Sequence, residues 1–183
     1  MNRKIYLFSG KARSGKDTAC EYYSKLLQDD NKNVLHTLYA KYLKQYAKDY
    51  FGWDGREETK PRELLQTLGT DIIRKELNKP DFHVNRICED IEILSKYFNR
   101  FLISDCRFPN EIFVPKLKFG DEVIAVRIIR TNFISSLTPE EQQHESETAL
   151  DDFTGFDYVI MASNLNELYE QLDMIYEAEE RDE

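Results

Sequence analysis

The sequence predicts an α/β fold in which a parallel β-sheet is covered by helices on both faces. Two observations predict it: apolar runs of strand length alternate with longer segments whose apolar residues recur every three or four positions. Such alternation favours parallel strands joined by right-handed helical crossovers. Ligands of such sheets bind at the carboxyl ends of the strands, so we expect the functional residues there.

Five apolar runs predict the strands, and the helical periodicity predicts the helices between and after them. The strands are expected at residues 4–8, 34–39, 100–104, 123–129 and 158–161. The helices are expected at residues 18–27, 41–50, 62–77, 84–98 and 165–178.

Length and composition limit the class of protein. A chain of 183 residues with 41% hydrophobic content can form one substantial core, so we expect a single domain. A net charge of -9 argues against binding to a nucleic-acid polymer. No apolar stretch reaches the length of a membrane span, no signal peptide is recognisable, and the three cysteines form no pair or metal pattern. We therefore expect a soluble, cytoplasmic protein that does not bind membranes.

A glycine-rich segment follows the first predicted strand and precedes the first helix. Its sequence GKARSGKDT matches the pattern G-x-x-x-x-G-K, in which main-chain N–H groups and the lysine surround phosphate oxygens. A plain strand-to-helix turn is the alternative, but the flanking elements favour a phosphate-binding P-loop and a three-layer P-loop NTPase fold. The residues expected to bind ATP are Gly10, Lys11, Ala12, Arg13, Ser14, Gly15, Lys16, Asp17 and Thr18.

Two carboxylates are candidates for a magnesium site. The pattern usually places Ser or Thr after the lysine, whereas this chain has Asp17 there and carries its hydroxyl on Thr18. Asp105 ends a predicted strand whose carboxyl end should face Lys16. An Asp that merely begins a turn is the alternative for Asp105. We expect Mg²⁺ beside Asp17 or Asp105, held directly or through water.

Two segments interrupt the regular alternation and predict the functional layout. The core is expected at residues 1–40, 99–129 and 155–178, with an insertion at 41–98 that is large enough for a phosphate acceptor. Residues 130–154 are polar and suit a mobile lid. Arg107 and Arg130 are candidates to neutralise a phosphoryl group in transit, although an ordinary surface salt bridge is the alternative for Arg107.

Several motifs together resemble the phage-type deoxynucleoside monophosphate kinases, which belong to the adenylate-kinase-like P-loop kinases. The motifs are S-G-K-D-T in the P-loop, D-C-R-F-P-N-E at 105–111, L-L-Q-T-L-G-T at 64–70 and H-E-S-E at 144–147. The resemblance implies transfer of a phosphoryl group from ATP to a deoxynucleoside monophosphate, with Mg²⁺. It also implies a helix after Glu111, which we expect Pro115 to interrupt.

The resemblance and the helical spacing together give candidate residues for the acceptor and the lid. The resemblance places Lys44 and Glu111 in the acceptor region, Arg107 at the phosphates in transit, and His144 and Glu147 in the lid. Arg62, Gln66, Thr70 and Arg74 recur every four residues and would form a polar stripe facing the acceptor. A solvated helix face is the alternative for this stripe, and a solvated loop residue is the alternative for His144.

Other functions remain compatible with these motifs. The chain could be another small-molecule P-loop kinase, similar to dephospho-coenzyme A kinase or a ribonucleoside monophosphate kinase, or a non-catalytic nucleotide-binding module. We expect small-molecule nucleotides as partners, with a homodimer as one possible assembly. His36 and His83 belong to no motif and are expected to pack in the core or to face solvent.

Overall fold

The computed structural model describes residues 3–135 and 137–181, and in this part of the chain five parallel strands form one sheet. The strands are β1 (Lys4–Ser9), β2 (Val34–Thr37), β3 (Arg100–Cys106), β4 (Val123–Arg130) and β5 (Tyr158–Ala162). They lie in the order β2-β3-β1-β4-β5, and Ile5 of β1 pairs with Phe101 of β3 and with Val123 of β4. The predicted α/β class and the parallel sheet are confirmed.

Eight α-helices surround this sheet in the described residues. They are α1 (Lys16–Asp29), α2 (Lys41–Phe51), α3 (Arg62–Gln66), α4 (Phe82–Leu94), α5 (Asn110–Phe119), α6 (Pro139–Gln143), α7 (Glu145–Thr148) and α8 (Leu165–Glu180). Helices α1 and α8 pack on one face of the sheet, and α4 and α5 pack on the other. Tyr6 and Leu7 are neighbours in β1 and are both fully buried, on opposite faces. The result is the expected three-layer arrangement.

The predicted helix at 62–77 is regular only in its first five residues. It continues from α3 into a π-helix, Thr67–Glu76, and the N–H of Leu77 donates to the carbonyl of Ile72, five residues earlier. π-Helices are rare, mostly a single turn long, and frequently found at functional sites. Periodicity analysis at 3.6 residues per turn could not distinguish this wider helix from an α-helix.

The expected interruption at Pro115 is wrong. Helix α5 runs through Pro115, which lacks the N–H that would bond to the carbonyl of Glu111, four residues earlier. The hydroxyl of Tyr39 donates to that carbonyl instead, at 2.5 Å. A side chain from another segment therefore replaces the missing main-chain donor.

A buried ion pair fastens the last helix to the sheet. Arg100 at the start of β3 and Glu180 at the end of α8 are 1% and 0% exposed in their side chains and lie 2.6 Å apart, and the Tyr6 hydroxyl donates to the same carboxylate at 2.6 Å. This cluster lies at the amino end of β3, whereas the glycine-rich loop follows the carboxyl end of β1. No described helix is both long and apolar enough to cross a lipid bilayer.

Candidate active site

The glycine-rich loop joins β1 to α1 as the sequence predicts. A Cβ atom on Gly10 would lie 2.4 Å from the Ser14 hydroxyl oxygen and 2.5 Å from the carbonyl oxygen of Ile128, so a side chain there would collide with both. Gly15 has a φ of +99°, a conformation that residues with a side chain rarely adopt. Both glycines of the motif are therefore required by the shape of the loop.

Lys16 is buried at the first turn of α1, behind this loop. Its ammonium group donates to the carbonyl of Lys11 at 2.7 Å. Burial, followed by the positive charge of Arg107, lowers the pKa of Lys16 to about 7, although Glu147 and Asp17 act in the opposite direction. The hydroxyl of Ser14 is also buried and has no hydrogen-bond partner among the described residues. An anion in the loop would satisfy both groups.

A carboxylate from the segment predicted to be a lid reaches this loop. Glu147, on α7, accepts a hydrogen bond from the N–H of Ala12 at 2.8 Å and pairs through its other oxygen with the guanidinium of Arg107. Asp151 pairs with Lys11 at 2.8 Å in the same region. The loop and Arg107 thus form a site that already binds an anionic group of the protein itself.

Asp17 lies exposed at the start of α1 and accepts a hydrogen bond from Ser104 at 2.9 Å. The Ser104 hydroxyl also lies 3.1 Å from Nε2 of His36, which is exposed and so faces solvent, one of the two positions expected for it. The described residues contain no cluster of three or more His, Cys, Asp or Glu side chains that could hold a metal by itself.

Asp105 lies at the end of β3, but its carboxylate is occupied. One oxygen accepts the N–H of Tyr39 at 2.7 Å, and the other accepts the N–H of Ala40 at 3.0 Å. These are main-chain groups at the start of α2, so Asp105 fixes where that helix begins. This contact could not be predicted from the strand pattern.

One cavity, of about 230 Å³, lies beside α2, α3 and the π-helix, and we call it the acceptor cavity. All seven residues predicted to bind the acceptor line it: Lys44, Arg62, Gln66, Thr70, Arg74, Arg107 and Glu111. Arg62 is exposed and lies 3.6 Å from Glu57, while burial and then the charge of Lys60 lower the pKa of Lys44. The helical stripe therefore faces a cavity, and its role in binding an acceptor stays a prediction.

Glu111 and Arg74 form a nearly buried ion pair in the wall of the acceptor cavity. Their charged groups lie 2.6 Å apart, and the second carboxylate oxygen of Glu111 accepts the N–H groups of Arg107 and Phe108 at 2.6 and 3.0 Å. Burial raises the pKa of Glu111 to about 7 in spite of these partners. The guanidinium of Arg74 stacks on the Phe108 ring at 3.9 Å. Glu111 thus positions Arg107 through its main chain.

A second cavity, of about 580 Å³, lies between the glycine-rich loop, the end of β4 and the segment that carries α6 and α7. We call it the donor cavity because it borders the loop that the sequence predicts to bind ATP. Arg130 lines it, is exposed, and stacks on Phe133 at 4.8 Å. Arg107 lines the acceptor cavity, so the structure places the two arginines on different sides of the site. Glu147 lines both cavities and marks their boundary.

Three of the remaining predicted residues, Arg13, Thr18 and His144, line neither cavity. Arg13 is exposed with a φ of +59°, and Thr18 is half-buried on α1. His144 begins α7, where its Nδ1 accepts the N–H of Ser146 at 3.2 Å. His144 therefore organises the short helix that carries Glu147.

Sequence reasoning missed three residues of the site. Arg127 lines the donor cavity, donates to Ser9 at 3.1 Å and pairs with Asp151 at 3.3 Å; an arginine within an otherwise apolar strand was the available signal. Asp151 carries no motif. His83, expected to pack or to face solvent, is buried in the wall of the acceptor cavity.

Comparisons with known proteins agree with this architecture. No protein-family model matches the chain. The structure is similar to the Mycobacterium tuberculosis APS kinase in complex with AMPPNP and APS, at 10% identity over 96% of each chain and a TM-score of 0.53. It is also similar to shikimate kinase from Bacteroides thetaiotaomicron, at 11% identity over 96% of this chain and 97% of that chain, with a TM-score of 0.52. The chain has the fold of P-loop kinases.

Proposed function

We propose that this protein transfers the γ-phosphoryl group of ATP to a deoxynucleoside monophosphate and forms the diphosphate. The observation that carries the proposal is the position of the Glu147 carboxylate. It lies where the donor and acceptor cavities meet, and it is held by the N–H of Ala12 and by Arg107. Hydrogen-bond donors that hold an anion between two cavities are also suited to stabilise a phosphoryl group that passes from one cavity to the other.

The donor side of the proposal rests on the glycine-rich loop. The triphosphate would displace Glu147 from Ala12 and would give the buried Ser14 hydroxyl and the Lys16 ammonium an anionic partner. Arg127 and Arg130 line the same cavity and would contact the donor nucleotide. The structural similarity to an APS kinase that was solved with AMPPNP supports ATP as the donor.

Magnesium fits one of the two predicted carboxylates better than the other. Mg²⁺ in such sites is bound through one or two protein oxygens together with phosphates and water, so a three-residue cluster is not required. We assign the direct contact to the exposed Asp17 and a positioning role to Asp105, whose two oxygens already accept main-chain N–H groups. The ion would neutralise charge on the donor phosphates.

The acceptor side uses cations for the monophosphate and needs no general base. A monophosphate is largely dianionic near neutral pH, since its second pKa is about 6. One of its oxygens would attack the γ-phosphorus in line while the bond to the β–γ bridging oxygen breaks and its electron pair leaves with ADP. Arg107, Lys44 and Arg62, which line the acceptor cavity, would hold the acceptor phosphate. The lid would exclude water from the transfer.

A coupled assay with ATP, Mg²⁺ and each of the four deoxynucleoside monophosphates tests the proposal. We expect ADP and a deoxynucleoside diphosphate to form in equal amounts with at least one acceptor. The Lys16→Met variant is the inactive control, and its circular dichroism spectrum should match that of the original protein. Ribonucleoside monophosphates and dephospho-coenzyme A in the same assay test the other kinases of this fold. ATP binding without consumption in the presence of every acceptor would contradict the proposal and identify a binding module.

A further inference from the structure

His83 lies in the first turn of α4, between the core and the acceptor cavity. The residue is 4% exposed and contributes to the cavity wall. Neither Nδ1 nor Nε2 has a well-formed hydrogen bond to any described residue. An unpaired buried polar atom costs about 1–3 kcal/mol, so such atoms in a cavity wall indicate a ligand group that bonds to them.

The His83 ring is neutral. Burial, followed by the charge of Arg74, lowers the pKa of His83 to about 4, and a weak interaction with the Gly69 carbonyl opposes this only in part. A neutral imidazole offers one N–H donor and one acceptor nitrogen. Such a ring is suited to an uncharged polar edge, and it is poorly suited to a phosphate.

Gly69 of the neighbouring π-helix leaves space beside the His83 ring. A Cβ on Gly69 would lie 2.9 Å from Leu43 and 3.8 Å from Nε2 of His83. A side chain at this position would therefore press on Leu43 and contact the imidazole. Because Gly69 has no side chain, no such contact is made with Nε2 of His83 from this position.

The acceptor cavity has both apolar and cationic parts. Leu43, Leu65 and Phe108 give the cavity apolar walls, whereas Lys44 and Arg107 supply positive charge. Arg107 pairs with Glu147, which also accepts the N–H of Ala12, so this cation lies at the glycine-rich loop. A flat ring between apolar walls would bring its polar edge to His83.

We propose that His83 hydrogen-bonds the nucleobase of the acceptor monophosphate and determines which base the protein prefers. The inference rests on the proposed function and adds a specificity residue to it. Nucleobases differ in the hydrogen-bond donors and acceptors at their edges. A base that cannot pair with a buried hydrogen-bonding group leaves that group unpaired and therefore binds less tightly. His83 takes no part in the phosphoryl transfer itself.

The test compares kcat/KM for the four deoxynucleoside monophosphates in the original protein, His83→Phe and His83→Gln. With His83→Phe we expect kcat/KM for the preferred acceptor to fall by roughly tenfold or more, since a hydrogen bond to a buried group is lost. The preference over the next acceptor should shrink while KM for ATP is unchanged. His83→Gln keeps a donor and an acceptor and should restore part of the preference.

Cys88→Ala is the matched control. Cys88 is buried on the same helix, 1% exposed, and does not line the acceptor cavity. It should lower stability without changing the ratio of kcat/KM values between acceptors. An equal change of this ratio in Cys88→Ala and His83→Phe would show that packing of α4, and not His83, sets the preference.

A measurement on the unaltered protein keeps the inference testable if the variants fold poorly. The chain has three histidines, so ¹⁵N spectra of the imidazoles can be assigned by comparison with variants of His36 and His144. Adding the preferred monophosphate should shift the His83 nitrogens, and adding AMPPNP alone should not. Turnover with no His83 shift and with an unchanged acceptor preference in His83→Phe would overturn this inference alone. Absence of turnover with every acceptor would overturn the proposed function instead.

Discussion

The carboxylate of Glu147 lies 2.8 Å from the main-chain nitrogen of Ala12 and accepts its hydrogen bond. The segment that contains α7 is thereby held against the glycine-rich loop, and Asp151 adds a second contact to Lys11. Under the proposed function, a triphosphate that enters the loop has to replace these contacts. We therefore expect binding of the donor to be coupled to movement of this segment.

Removing the Glu147 carboxylate should strengthen nucleotide binding. In Glu147→Ala the nucleotide no longer competes with a carboxylate for the N–H of Ala12. We therefore expect Kd for AMPPNP to fall by up to about tenfold, or roughly 1.4 kcal/mol. Isothermal titration calorimetry measures this change. Glu145→Gln is the control, because Glu145 is exposed and pairs only with Lys75 at 3.4 Å among its described contacts. Weaker binding by Glu147→Ala would show that the carboxylate helps to hold the nucleotide.

Donor binding should weaken as the pH rises above about 7. Lys16 has a pKa of about 7 in the ligand-free protein, and phosphate oxygens would raise it again. Binding then takes up a proton, and Kd should rise by up to about tenfold per pH unit above 7. The low pKa of Lys16 also affects the free energy of unfolding of the ligand-free protein. Between pH 7 and the ordinary lysine pKa of 10.5, Lys16 is mostly neutral in the folded protein and mostly protonated in the unfolded chain, so this free energy increases as the pH rises.

Calorimetry in buffers of different ionisation enthalpy measures the proton uptake by Lys16. Lys16→Met provides the control, because its remaining AMPPNP binding should take up no proton at this position. Equal affinities for AMPPNP at about pH 6.5 and pH 8.5 would contradict the low pKa of Lys16.

Arg107 should be needed for turnover more than for binding of ATP. Its guanidinium already holds a carboxylate where we place the moving phosphoryl group, and a lysine cannot reproduce its planar, forked donors. We expect Arg107→Lys to lower kcat by about 100-fold or more, with KM for ATP changed only a few-fold. Steady-state kinetics provide the measurement. Arg86→Lys is the control, since Arg86 stacks on Tyr42 at 4.1 Å and lines neither cavity. Unchanged kcat in Arg107→Lys would exclude this role.

Breaking the Glu111–Arg74 pair should destabilise the fold. Glu111→Gln leaves the guanidinium of Arg74 without its buried counter-charge. At a pH above 7, where the Glu111 carboxylate is mostly ionised, we expect a loss of about 3 kcal/mol in the free energy of unfolding. Urea denaturation followed by circular dichroism measures it. Arg74→Met combined with Glu111→Gln should lose less than the sum of the single changes, since no isolated charge remains. Strict additivity would show that the two residues are not coupled.

The fold was predictable because its signals are local and periodic. The five strands and the glycine-rich loop follow from apolar runs and from one motif, and the stripe from Arg62 to Arg74 does line a cavity. Regular spacing along a helix is a property of the chain that tertiary packing only has to preserve.

The rest of the site depends on contacts between distant segments, which a single sequence does not encode locally. The Asp105 carboxylate accepts hydrogen bonds from the amides of Tyr39 and Ala40. His83 lines the acceptor cavity because α4 packs against the π-helix. The π-helix itself differs from an α-helix by one residue in its hydrogen-bond spacing, which apolar periodicity does not resolve. These features needed the three-dimensional arrangement.

Tyr39 joins three separate segments at one point, with its N–H on Asp105 and its hydroxyl on the Glu111 carbonyl that Pro115 leaves free. Strand β3, helix α2 and helix α5 are thus tied by one residue beneath the acceptor cavity. These hydrogen bonds fix three elements that border the acceptor cavity relative to one another. Under the proposed function, we therefore expect the turnover rate to depend on movement of residues 130–154 and not on rearrangement of these three elements.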